Sequence, residues 1–223
     1  MGQHRTRTGK GITRLRQRRL VAVLGDSEAL TPRGWLEAVR QGISTAPQVV
    51  WLSEGARGFW RRYEEQWAAV AGGILDFSHA VPSLWKGAAA WLDGRTTQAR
   101  RWVGWARHRL RHGQPDGVLA DVVEALEVEG LPASARETLT ALYAYWERPR
   151  DHIDSAQDKD LGLPRGSGRV DSAWKWRIQQ RCKGVGMRWS EDGFHHLLPL
   201  RLAWVNGSFE ALFQGQLQPS PNT

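Results

Sequence analysis

Three short apolar runs, each closed by a turn signal and separated from the next by helical periodicity, constrain this chain more than anything else in its sequence. Residues 20–24 in RRLVAVLGD end at Gly25 and Asp26, QVVWL occupies 48–52, and GGILDF occupies 72–77. Short apolar runs bounded in this way read as buried strands. Between the first two, Thr31 and Pro32 form a cap followed by a first-turn proline, and Trp35, Leu36 and Val39 keep helical spacing until Gly42. Between the second and third, Phe59, Trp60, Tyr63 and Trp67 recur three or four residues apart within 56–70, as in an amphipathic helix. Strands alternating with helices point to an α/β layer with parallel neighbours, because parallel strands need crossover connections. Active groups in such sheets belong at the carboxyl ends of the strands.

The pattern changes beyond residue 81. Ala99, Trp102, Val103, Ala106 and Leu110 share one helical face; Leu119, Val122, Val123 and Leu126 share another; and Leu139, Leu142, Tyr143 and Trp146 continue the series. Residues 82–163 are therefore expected to be an all-helical insertion that ends in the linker LGLPRGSGR. Residues 164–213 follow with two helices, at 170–182 and 190–205, the second kinked near Pro199. The leader, 1–19, and the tail, 214–223, are expected to be disordered. The first part of the core is then 20–81.

Charge is unevenly placed along the chain. Residues 1–20 carry +7, residues 21–163 carry −3 and the remainder carries +4, for a net +8. Two basic ends around a near-neutral middle suit a polyanion binder, although charge alone equally suits a solvated surface. One cysteine, Cys182, rules out an intrachain disulfide scaffold and fits a reducing cytoplasm. No apolar stretch is long enough to span a membrane, and the leader has no apolar core of a signal peptide.

Carboxylates stand where chemistry is expected. Asp26 follows the first run, Glu54 the second and Asp76 the third, while Asp171 opens a helix after the glycine-rich turn in GSGRVDSA. Converging carboxylates are what a two-metal magnesium site for phosphoryl transfer requires. Asp after a strand is also a common cap, so each alone is weak. His108 and His112 lie on a helix among arginines that would repel a cation. His195 and His196 cannot face the same way. GKG near residue 10 lacks the context of a phosphate loop, and neither Ser53 nor Ser78 sits in a nucleophile elbow.

SEGARGFW, ILDFSHAVPSLWKGAAAWLDG and LPRGSGRVDSAWKWRIQQRCKGVGMRWSEDGFHHLLPLRLAWVNG, in this order, closely resemble the C-terminal half of bacterial insertion-sequence transposases of the Kra type, relatives of the Mutator-like transposases. The resemblance runs from residue 19 to about residue 213. It implies an RNase H-like mixed sheet core of the DDE class, here lacking its first strands, with an all-helical insertion. It also implies cleavage and joining of DNA at transposon ends and target DNA with two Mg²⁺ ions. Glu54 and Asp171 fall on acidic metal-ligand positions, and Asp76 with His79 falls on the D-x-x-H pair after the fifth core strand. Arg14, Arg16, Arg18 and Arg19 in the leader, and Lys175, Arg177, Arg181, Lys183 and Arg188 near Trp174 and Trp176, are the expected DNA contacts.

The departures are as specific as the matches. The strand bearing the first catalytic Asp would precede residue 20, where no apolar run exists. Glu54 stands where the family has Asp, and Asp171 where it has Glu. Each exchange changes reach by a methylene, and a misplacement of roughly 1 Å can cost about a hundredfold in rate. A truncated, impaired enzyme is expected, one that forms a homo-oligomer or pairs with an intact transposase and resides with the nucleoid. Its three-strand sheet would have an exposed edge and marginal stability as a monomer. A DNA-binding regulator without catalysis, or a helical interaction protein, are the alternatives.

Overall fold

A computed structural model describes residues 5–8, 11–14, 18–164, 166 and 174–214. The chain divides into two compact units, one made of Met1–Ala46 with Arg169–Thr223 and the other of Pro47–Gly168. The strands at 50–75 thus belong to one unit with the helices that follow them.

In the first unit, Arg5–Thr8 (β1) and Gly11–Arg14 (β2) pair antiparallel, with Arg5 opposite Arg14 and Thr8 opposite Gly11. Only Gly9 and Lys10 separate them in sequence, and Thr6, Thr8, Ile12 and Thr13 are β-branched, so the leader carries hairpin chemistry where disorder was expected. Residues 20–24, expected as a strand, form none. Their polar backbone finds another partner: the Asn206 side chain accepts from Leu20 N at 2.8 Å and donates to Leu20 O at 2.9 Å. Ala22 is buried with Ile178, Cys182 and Leu198.

Ser27–Arg40 (α1) begins four residues before Thr31, because the Asp26 carboxylate accepts from Glu28 N and Ala29 N, both at 3.0 Å. Pro32 lies inside this helix. Further on, the chain winds as a π-helix over Trp174–Gln179, continues as α over Gln180–Cys182, and forms the helix Glu191–Asn206. That last helix runs through Pro199, is capped by Ser190 Oγ and ends at Gly207 in the left-handed region.

The second unit opens with Val50–Ser53 (β3), Arg57–Arg62 (α2), a π turn over Tyr63–Trp67 and Gly72–Leu75 (β4). The strands pair parallel, with Val50 opposite Gly72 and Ser53 opposite Leu75. Five α-helices follow among the described residues: Phe77–Leu92 (α3), Thr97–Arg111 (α4), Pro115–Glu127 (α5), Ala133–Glu147 (α6) and Ser155–Asp160 (α7). α3 packs between α4 and α6, and α5 packs on α4 and α6. Leu84, Leu110, Leu139 and Trp146 are almost completely buried there. Gly87 lets α3 and α6 approach, since a Cβ would collide with the Leu142 side chain.

The expected RNase H-like mixed sheet core is not what this chain forms. Among the described residues the molecule is predominantly helical, and its parallel sheet has two strands. A short apolar run can be buried without joining a ladder, and residues 20–24 do this in the other unit. The helices meanwhile supply most of the burial around β3 and β4. Trp51 packs against Tyr63 and Trp67, and Trp60 stacks on His152 at 5.0 Å between ring centroids. A Cβ at Gly73 would lie 2.9 Å from both His152 Nδ1 and Tyr63 Cζ, so only glycine lets β4 pass beneath these rings.

Burial holds the His152 imidazole below the ordinary histidine range, opposed by Asp151, the Gly73 backbone and Glu64. The unfolded chain therefore takes up this proton first, and stability falls as pH drops through about 6.5. Urea melts between about pH 7.5 and about pH 5 should show this loss. His152→Phe, which keeps an aromatic ring on Trp60, should flatten that part of the profile; an unchanged slope would contradict the assignment.

Candidate functional site

Parallel pairing brings the carboxyl ends of β3 and β4 side by side, with Glu54 following one strand and Asp76 the other. Asp76 N donates to Ser53 O at 2.7 Å, carrying the ladder one residue past β4. The Asp76 side chain is fully buried. Its Oδ1 accepts from Ser78 N at 2.9 Å and His79 N at 3.3 Å, which caps α3, and its Oδ2 lies 2.7 Å from His79 Nδ1. One carboxylate thus ends a strand, starts a helix and fixes the way an imidazole faces. The D-x-x-H spacing makes this possible because a residue three after an N-cap returns to the same side of the first turn. At Gly166, within the glycine-rich linker, a Cβ would lie 3.7 Å from Asp76 Oδ1 and Ser78 Oγ.

Glu54 is held through its backbone while its side chain is exposed. Its carbonyl accepts from Trp60 Nε1 at 3.0 Å and from Ser53 Oγ at 3.0 Å. The next amide, Gly55 N, donates to Tyr145 Oη at 3.2 Å, and Tyr145 packs so closely on Gly55 that a Cβ has no room. Burial pushes the Tyr145 phenol above its ordinary value, with Glu54 and Asp76 adding to the rise and the Gly55 hydrogen bond opposing it. The phenol therefore stays protonated at neutral pH.

Glu54 and His79 open on one cleft of about 590 Å³, which Ser83, Lys86, Glu137 and Tyr145 also line. A carboxylate, an imidazole and an ammonium on one cleft can accept a proton, deliver one and hold an anionic group. Lys86, Glu137 and Tyr145 were not legible as site residues in the sequence. Periodicity placed α6, and Lys86 fell within the expected helical block, but nothing in the pattern joins α6 to the end of β3.

The other expected positions fall elsewhere. Asp171 and Arg16 lie outside the described residues. Arg14 is in β2, and Arg177 and Arg181 are in the helical stretch 174–182, with their side chains outside the described residues. Arg18, Lys175, Lys183 and Arg188 are exposed. Arg19 is tied down, donating to Asn206 O at 2.5 Å and lying 3.8 Å from Glu37. All of these belong to the first unit.

Among the described residues no trio of His, Cys, Asp and Glu gathers as a metal site, and no helix is long and apolar enough to cross a membrane. The described donors do not by themselves fit a magnesium cage. Asp76 already has both oxygens engaged, which leaves Glu54 as the strand-end carboxylate facing the cleft.

Replacing Tyr145 with Phe removes the acceptor of the Gly55 amide and should cost about 1–2 kcal/mol in urea denaturation; a loss within error would show that the phenol does not hold the Glu54 turn. No protein-family model matches the chain, and no curated protein or solved structure matches it.

Proposed function

We propose that the chain is a DNA transposase of the DDE type, acting on the ends of an insertion sequence and on target DNA, and catalytically impaired by itself. The observation that carries the reading is the buried Asp76, held against His79 three residues on and next to the strand end that bears Glu54, with Glu54 and His79 on one cleft. This agrees with the order of motifs that gives the sequence its resemblance. The chemistry is hydrolysis of a phosphodiester followed by attack of the freed 3′-hydroxyl on target DNA. In this cleft Lys86 would hold a phosphate and His79 would move a proton, its ring oriented by Asp76. Acting on DNA places the protein with the nucleoid.

Two features of these acids support the impairment. Asp76 is spent on capping α3 and on His79, and Glu54 reaches farther than the shorter acid at its position in the family. This favours a second reading, a DNA-binding module that pairs with an intact transposase and cuts nothing itself.

A gel shift across a salt series, run beside Mg²⁺-dependent nicking of a plasmid carrying the DNA that flanks the gene, tests both. Retardation that fades as NaCl rises from about 50 mM is expected, with nicking at or barely above background and any residue of it removed by Glu54→Gln. Absence of retardation at low salt would sink both readings, and efficient unaided cleavage would sink the impairment.

A further inference from the structure

Outside the cleft, the most one-sided surface in the second unit is helix α4. Its fifteen residues include Arg100, Arg101, Arg107, Arg109 and Arg111 and no acid, with His108 in the last turn and His112 as its cap. Arg100, Gly104, Arg107 and Arg111 follow the spacing of a single helical face and are all exposed. They make a basic stripe about 16 Å long. None of these arginines forms an ion pair among the described residues. Trp105 is 38% exposed beside the stripe, with the Arg109 guanidinium 5.3 Å from its ring centroid. Arg111 lies over Phe77, the first residue of α3, at 5.5 Å.

Helix stability does not explain the stripe. Cations in the last turn complement the helix dipole, but Arg100 sits in the first turn, where the dipole opposes a positive charge. Gly104 is a poor helix former in mid-helix, and a Cβ there would meet nothing within 4 Å, so no packing demands it. What it provides is a flat gap between Arg100 and Arg107 through which a partner can approach the helix.

The chemistry of the face narrows the partner. The apolar side of α4, Ala99, Trp102, Val103, Ala106 and Leu110, is buried in the helix layer and cannot enter a bilayer. Trp105 beside the stripe already has the Arg109 guanidinium over its ring, and Arg100, Gly104, Arg107 and Arg111 include no apolar anchor of the kind at the centre of protein interfaces. Duplex DNA presents a charge about every 1.7 Å along its axis, and guanidinium forks match phosphate. We propose that the exposed face of α4 is a docking site for the phosphate backbone of duplex DNA, with Arg100, Arg107 and Arg111 making the contacts.

This rests on the reading of DNA as the substrate but not on cleavage, so binding alone is measured. The full chain is titrated with a labelled duplex of about 30 base pairs by fluorescence anisotropy over a NaCl series. Replacing the three arginines with glutamine (R100Q, R107Q and R111Q together) should lower the magnitude of the salt slope by about 2.7 and weaken binding at least tenfold at low salt. Gly104→Glu removes no arginine and favours the helix, yet should also weaken binding, and it decides the matter if the triple variant fails to fold.

Wild-type affinity and slope in Gly104→Glu would overturn the proposal. So would binding of polyglutamate or phosphatidylserine vesicles without binding of the duplex. Salt-dependent binding that is lost in these variants supports the α4 site whether or not the chain nicks DNA, and salt-dependent binding that persists unchanged in both variants would overturn the α4 site while leaving DNA as the substrate.

Discussion

Asp76 is the residue through which the second unit is joined to itself. Its amide extends the β3–β4 ladder, one carboxylate oxygen caps α3, and the other engages His79, all from a fully buried position. A buried carboxylate is costly unless every oxygen has a partner. Here the partners are backbone amides and an imidazole contributed by the next three residues, so the local sequence DFSH largely solvates its own charge. The direction of α3 follows from that cap, and the packing of α4 and α6 on α3 follows in turn.

The helices were legible because helical periodicity is a local property. The faces around Val103 and Leu139 lie where their spacing puts them, and Asp76 after an apolar run marked a strand end correctly. The parallel pairing of 50–53 with 72–75 was legible too, since a strand, a helix and a strand leave few alternatives. The sheet around that pair was not. LVAVL has the composition of a buried strand, but whether it joins a ladder depends on Asn206, some 186 residues away, which takes both Leu20 backbone groups. No local pattern carries that information. Pro32 misplaced the start of α1 for a different reason: a first-turn proline is the commoner case, and the Asp26 cap wins here.

Part of the candidate site was read from spacing and part depends on three-dimensional approach. Asp76, His79 and Glu54 were found from strand ends and a motif. Tyr145 was not, because it stands off the apolar face of α6, yet it holds the turn from which the Glu54 side chain projects. The basic face of α4 was visible as a run of arginines, which the sequence reads as a solvated face. Its exposure, the open space at Gly104 and the burial of the opposite face are properties of the folded helix layer.

The most direct test of the role given to Asp76 is amide hydrogen exchange in the full chain and in Asp76→Ala. Ser78 and His79 amides should be protected in the native chain. In the variant they should lose protection together with the β4 amides, while those of the helix Glu191–Asn206 keep theirs. Unchanged protection of Ser78 and His79 in Asp76→Ala would mean that this carboxylate does not organise the strand end, the helix or the histidine.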